Sequence, residues 1–155
     1  VHVFLQNYMG TVIASQLVAQ QFIKNKSGVL LNISSIAGIL PLTRALSYSD
    51  AKAAVNSFTR WLAVHMAQNY SVNIRVNAIA PGFILTNQNR FLLIDEKSGE
   101  LTERGKQIFW SVPMARFGDV QEVADAALWL LSDQASFITG AVIPVDGGYT
   151  AFSGV

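Results

Sequence analysis

The sequence predicts an α/β fold with a parallel sheet, and two observations carry the expectation. Stretches with apolar residues at helical spacing alternate with short β-rich runs, in the order helix, strand, helix, strand, helix, strand. The first run, Val29-Leu30-Leu31-Asn32-Ile33, is short, apolar and follows a glycine, as a buried parallel strand does.

The elements follow in order. Residues 1 to about 26 read as a helix, because Phe4, Leu5, Met9, Val12, Ile13, Leu17, Val18 and Phe22 recur at helical spacing, and Ser27-Gly28 ends it. Ser34 to Ser47 contains Gly38 and Pro41 and reads as a loop. A second, Ala-rich helix is expected from about Tyr48 to Gln68. Val72 to Ala80 is the next strand, stopped by Pro81-Gly82. A third helix is expected over Val120 to Leu131, with Val123, Ala126, Ala127, Leu130 and Leu131 on one face. Ala141 to Val145 is the last strand, closed by Gly147-Gly148. Segment 87–107 stands apart, holding eight of the 21 charged residues. It reads as an exposed excursion over the end of the sheet, as a lid or as a solvated helical hairpin.

Composition narrows the functional classes. The 155 residues are 51% apolar and only 14% charged, against about 25% charged in typical soluble domains. That excludes a disordered chain and suggests surface covered in the working state, for instance by copies of the chain. The net charge is +1 with no basic stripe, so a nucleic-acid partner is not expected. Cysteine is absent, which excludes disulfides, thiolate metal sites and cysteine nucleophiles and fits a reducing, cytoplasmic location. His2 and His65 are too few and too far apart for a metal site. Residues 1–23 carry no Lys, Arg, Asp or Glu, yet Gln6, Asn7, Thr11, Ser15, Gln16, Gln20 and Gln21 interrupt them. A buried or interface helix is expected there, not a membrane span or signal peptide. The chain opens on Val1 in mid-pattern, which suggests a start further upstream.

Tyr48 and Lys52 are the leading candidates for chemistry. Four residues apart on a helix, they are neighbours. A nearby cation favours the phenolate, so such a tyrosine can exchange a proton with a substrate oxygen near neutral pH. Ser34 and Ser35 follow a strand at its carboxyl end, where open α/β sheets bind ligands. A serine there can hydrogen-bond the same substrate oxygen, or simply form a turn or helix cap. Pro81-Gly82 also lies at a strand's carboxyl end, where it can present backbone groups to a flat ligand or merely turn the chain.

Together these residues resemble the short-chain dehydrogenase/reductase family. Asn32-Ile33-Ser34-Ser35-Ile36-Ala37-Gly38 is similar to its serine segment. Tyr48 follows Ser35 by thirteen positions and Lys52 follows by four more, while Asn7 stands 28 before Ser35, where a fourth catalytic residue falls. The stretch from Asn77 to Thr86 is similar to the nicotinamide-binding stretch, and that from Thr139 to Tyr149 to the closing strand. The resemblance implies hydride transfer between the nicotinamide of NAD or NADP and a carbonyl or secondary alcohol carbon. It implies Tyr48 as general acid/base, Lys52 as its electrostatic partner and ribose ligand, Ser35 as polariser of the substrate oxygen, and Asn7 as anchor of a relay water. Pro81, Gly82, Phe83, Ile84 and the Thr86 hydroxyl would hold the carboxamide or the nearby phosphate.

The resemblance further implies that residues 1–155 are part of a single domain: the C-terminal half of a doubly wound, Rossmann-type parallel sheet with flanking helices, with 87–118 as the substrate or lid excursion. No two glycines have G-x-G spacing, so the family's phosphate-binding turn is expected in a further segment of about 100 residues upstream. The helices at 1–26 and 48–68 resemble the family's oligomer surface, implying a dimer or tetramer, or else an apolar face covered by the upstream half. Glu100 to Gly105, Pro113 to Gly118 and the ending Ala151 to Val155 resemble members acting on sugar acids, such as fructuronate reductase or mannonate oxidoreductase types. Ser111-Val112 stands where those members carry His-Thr. Arg90, Arg104 or Arg116 could pair with a substrate carboxylate. The alternative function is a non-catalytic fragment or interaction module with the same half-fold.

Overall fold

A computed structural model of the chain describes residues 1–154. Val155, the last residue of the ending quoted above, lies outside the described residues. The first helix is one rod, α1, made of His2–Phe4, a π-helical stretch Leu5–Met9, and Gly10–Asn25. Strand β1 is Gly28–Ile33, helix α2 Leu46–Asn69 and strand β2 Ile74–Pro81. Two short helices follow, α3 (Arg90–Leu93) and α4 (Glu103–Ser111), then α5 (Val120–Leu131) and β3 (Val142–Val145).

The three strands form one parallel sheet in the order β1-β2-β3. Strand β2 is central, and seven of its eight residues are buried because helices cover both of its faces. Alternate side chains divide between those faces. Ile74 and Val76 join Leu30 of β1, Ala19 of α1 and Leu62, Ala63 and Met66 of α2 in the main apolar core. Arg75 and Asn77 point to the other side. Arg75 donates to the carbonyls of Leu130 and Ser132, both at 2.9 Å, where a cation complements the carboxyl end of α5. Asn77 donates to the Ile138 carbonyl at 2.9 Å and accepts from the Ala141 N–H at 3.0 Å. The connection from α5 to β3 is therefore stitched to the central strand by two buried polar side chains.

Several boundaries differ from the sequence reading, each for a local reason. Strand β2 starts at Ile74 and not Val72, because Ser71 closes a turn by accepting from the Ile74 N–H on its carbonyl and from the Asn73 N–H on its hydroxyl. The turn after α1 places Lys26, not a glycine, in the left-handed region at φ 55°. Gly28 is needed for space: a Cβ there would lie 2.2 Å from the Phe22 ring. The expected loop 34–47 begins with a buried 3-10 turn, Ile36–Gly38. Within segment 87–118, Leu93, Ile108 and Val112 build a second small core with Phe83, Leu85, Phe117 and Tyr149, so much of this excursion is packed onto the end of the sheet.

Among the described residues no helix is long and apolar enough to cross a membrane. Met66 is 2% exposed at the centre of the main core. Met66→Ala is expected to lower the unfolding free energy by about 2–5 kcal/mol, read as a lower urea midpoint with unchanged slope.

Candidate active site

The carboxyl ends of all three parallel strands lie on one side of the sheet, and the candidate residues gather there because β1 and β2 both empty into loops at that edge. Helix α2 controls the arrangement. Lys52, Asn56 and Thr59 recur at i, i+4 and i+7, so they share one face, and all three are buried. Each reaches β1 or the loop behind it. Thr59 accepts from the Asn32 side-chain amide at 2.9 Å, and Asn32 in turn accepts from Ser15 of α1 at 3.3 Å. Asn56 accepts from the Ser34 hydroxyl and donates to the Gly38 carbonyl at 3.0 Å. Lys52 donates from Nζ to the Ile33 carbonyl, the last of β1, at 2.8 Å. Gly38 permits the close approach: a Cβ there would come 2.6 Å from the Lys52 backbone.

Tyr48 begins this face one turn earlier, and the Lys52 ammonium lies 5.6 Å from its ring centroid. Burial pushes the Lys52 ammonium below its ordinary pKa of 10.5. One of its three N–H bonds goes to Ile33. Its side chain also lines an open groove along the unpaired edge of β1, together with Asn7, Gly10 and Thr11 of α1. Asn7 sits in the π-helical stretch, where helical bonding is locally irregular, and its side-chain amide donates to the Val3 carbonyl at 3.0 Å. Ser35 is buried, and its hydroxyl accepts from the Ala37 N–H at 3.2 Å, capping the short 3-10 turn. The structure thus joins Tyr48 to Lys52 and places Lys52 and Asn7 on one groove. Among the described residues no hydrogen bond joins Ser35 to Tyr48.

The segment after β2 is strongly constrained. Pro81 pairs in register with Val145, and the Gly82 N–H donates to the Val145 carbonyl at 2.9 Å. A Cβ on Gly82 would meet the Asp146 backbone at 2.7 Å. The Ile84 N–H turns back to the Gly82 carbonyl, and the Phe83 carbonyl accepts from Gly118. Asn89 accepts from the Thr86 N–H at 2.8 Å and donates to the Ile84 carbonyl at 2.7 Å. These bonds leave the Phe83 N–H and the Thr86 hydroxyl for another partner. Across the turn, Asp146 is desolvated, which opposes ionisation. Bonds from the Thr150 side chain and backbone and from the Gly148 and Tyr149 backbone outweigh that and hold its carboxyl below the usual range.

A family model described as enoyl-(acyl carrier protein) reductase matches residues 2–150. The chain belongs to the short-chain dehydrogenase/reductase family. A Bacillus subtilis relative called an uncharacterized oxidoreductase, UxuB, is 44% identical over 154 residues, covering 99% of this chain and 54% of the relative. A Haemophilus influenzae structure with bound NAD, described provisionally as a D-mannonate oxidoreductase, superposes with a TM-score of 0.89. It is 43% identical, over 98% of this chain and 53% of that one. An Agrobacterium tumefaciens structure with bound NADP, provisionally a 2-deoxy-D-gluconate 3-dehydrogenase, gives a TM-score of 0.83 at 33% identity, over 94% of this chain and 56% of that one. The chain spans about half the length of the relatives it matches.

The residues present fit the nicotinamide end of a dinucleotide. Lys52 keeps N–H groups beyond the one given to Ile33 and lines the groove with them, and Gly82 holds the β2 terminus tight against β3. Asn56, Thr59, Ser15 and Arg75 were missed as structural determinants of this short-chain dehydrogenase/reductase site. The signal for two of them was visible: polar residues at 52, 56 and 59 repeat at helical spacing in an Ala-rich helix.

The Lys52 shift has a sign that can be tested. Its folded pKa is below the unfolded value of 10.5, so the unfolded chain binds more protons in that window and stability rises with pH there. The difference in thermal midpoint between wild type and Lys52→Met is expected to move in favour of wild type as the pH climbs from 7 toward 10.5.

Proposed function

We propose that the protein is an NAD(P)-dependent oxidoreductase acting on a carbonyl or secondary alcohol of a sugar or sugar acid, and that this chain supplies its proton-transfer residues and the nicotinamide end of its cofactor site. The observation that carries the proposal is the Lys52 ammonium, buried at the end of β1 and 5.6 Å from the Tyr48 ring. The names of the NAD-bound and NADP-bound relatives support the reading.

When bound, the nicotinamide supplies the hydride chemistry, and the chain supplies alignment and proton transfer. Tyr48 gives a proton to the carbonyl oxygen during reduction and takes it back during oxidation. Lys52 stabilises the negative charge on the Tyr48 oxygen once that proton has left, and its remaining donors hold the nicotinamide ribose. Ser35 orients the substrate oxygen by donating its hydroxyl proton, while its oxygen accepts from the Ala37 N–H. Asn7 holds a water on the groove it shares with Lys52, giving the proton a route to solvent. Backbone groups at Pro81, Gly82, Phe83 and Ile84, chiefly the Phe83 N–H, and the Thr86 hydroxyl hold the carboxamide or the adjacent phosphate. Segment 87–118 closes the substrate side as the lid of one continuous domain. A cytoplasmic location goes with this reading, and the absence of cysteine fits a reducing compartment.

Low charge and unpartnered apolar helix faces support a homo-oligomer, a dimer or tetramer. Leu5, Ile13 and Leu17 of α1 and Trp61 and Val64 of α2 are all at least half exposed. Trp61→Glu is expected to lower the solution mass of the full-length protein, measured by light scattering. An unchanged mass would place the interface elsewhere.

Tyr48→Phe in the full-length protein is expected to cut turnover by about 10²–10⁴-fold. NADH or NADPH affinity, followed by nicotinamide fluorescence, should stay close to wild type. Undiminished turnover would remove Tyr48 from the chemistry.

A further inference from the structure

A second cleft, of about 180 Å³, opens beside the one that holds Tyr48. Pro41 and Leu42, in the loop between β1 and α2, line both clefts, so the two adjoin along that loop. The far wall is a single face of α4, on which Arg104, Gln107, Ile108 and Ser111 recur at helical spacing. Phe83 and Tyr149, packed edge to face with centroids 5.2 Å apart, add an apolar surface, and Thr43 adds a hydroxyl. No acidic side chain is among the lining residues.

Arg104 is the cation that lines this cleft, and two other arginines are committed elsewhere. Arg116 is committed to Glu122 through both guanidinium nitrogens, one at 2.8 Å, and that pairing pulls the Glu122 carboxyl down to about 2. Arg75 is buried and bonded to backbone carbonyls. Neither of the two salt bridges among the described residues uses Arg104. The Ser111 hydroxyl donates to the Gln107 carbonyl at 2.8 Å and keeps its lone pairs to accept. A guanidinium beside an amide and two hydroxyls, in a cleft without carboxylates, is a site for an anion that also carries hydroxyl groups.

We infer that Arg104 selects an acid: it binds the carboxylate of a polyhydroxy acid whose reacting carbon lies at Tyr48, while Thr43, Gln107 and Ser111 hydrogen-bond the hydroxyls between. The inference rests on the oxidoreductase reading and names the residue that sets its substrate class. Ser111 becomes a hydroxyl-recognition residue of this cleft.

The test is calorimetric titration of the full-length protein with D-mannonate and with D-mannitol, with and without NADH. Wild type is expected to bind the acid about 10–100-fold more tightly than the neutral polyol. Arg104→Met should abolish that difference and Arg104→Lys should keep part of it. Arg44→Gly, which removes the guanidinium on the Tyr48 cleft at a residue with φ 64°, should keep it in full. Retained discrimination in Arg104→Met, its loss in Arg44→Gly instead, or its absence in wild type would overturn the inference. The readout is binding, so Tyr48→Phe should preserve the discrimination. Loss of the catalytic reading and loss of the Arg104 reading are thereby told apart.

Discussion

A largely buried lysine is the constraint on which this site depends. Lys52 is only 7% exposed, and a charge taken out of water must be met by a fixed polar partner. The partner is the Ile33 carbonyl, at the point where β1 runs out of sheet and its backbone is free to accept. That bond sets the height of α2 along the strand. Asn56 and Thr59 repeat the same tie one and two turns further on, to the loop after β1 and to Asn32. Tyr48, one turn in the other direction, then has little choice of position. The pair proposed for proton transfer is held not by its own contact alone but by a polar ladder along the helix.

The same logic operates on the other face of the sheet with different chemistry. Arg75 and Asn77 are buried, with both terminal guanidinium nitrogens and both ends of the amide bonded to backbone groups at the end of α5 and in its connection to β3. They fix β3 against β2, and β3 in turn fixes the Pro81-Gly82 terminus through the Val145 carbonyl. Two polar networks, one on each face, bring the loops after β1 and β2 to the same edge. The apolar cores supply cohesion, and the polar groups supply register.

Outside these networks the chain leaves much apolar surface open. One edge of β1 has no strand beside it among the described residues, and Ile33 is 55% exposed. Long stretches of α1 and α5 show large apolar side chains to solvent, including Leu17 at 65% and Leu128 at 64%. A composition with 14% charge has this consequence in a chain spanning half of its relatives' length: there is too little polar surface to cover it.

The residue order determined the α/β class, the three strands and the three long helices, because apolar periodicity reports which faces must leave water. It also determined the pairing of Tyr48 with Lys52, since a helix turns a four-residue spacing directly into proximity. It could not show that Lys26 would take the left-handed turn, or that Gly28 serves to clear the Phe22 ring, because both depend on atoms brought together by folding. Ser111 and Arg104 were legible as residues but not as neighbours of Thr43, for α4 reaches the β1–α2 loop only once the excursion has built its own core on Tyr149. Helical and strand periods are local quantities; which loops meet at an edge is decided by packing between segments far apart in the chain.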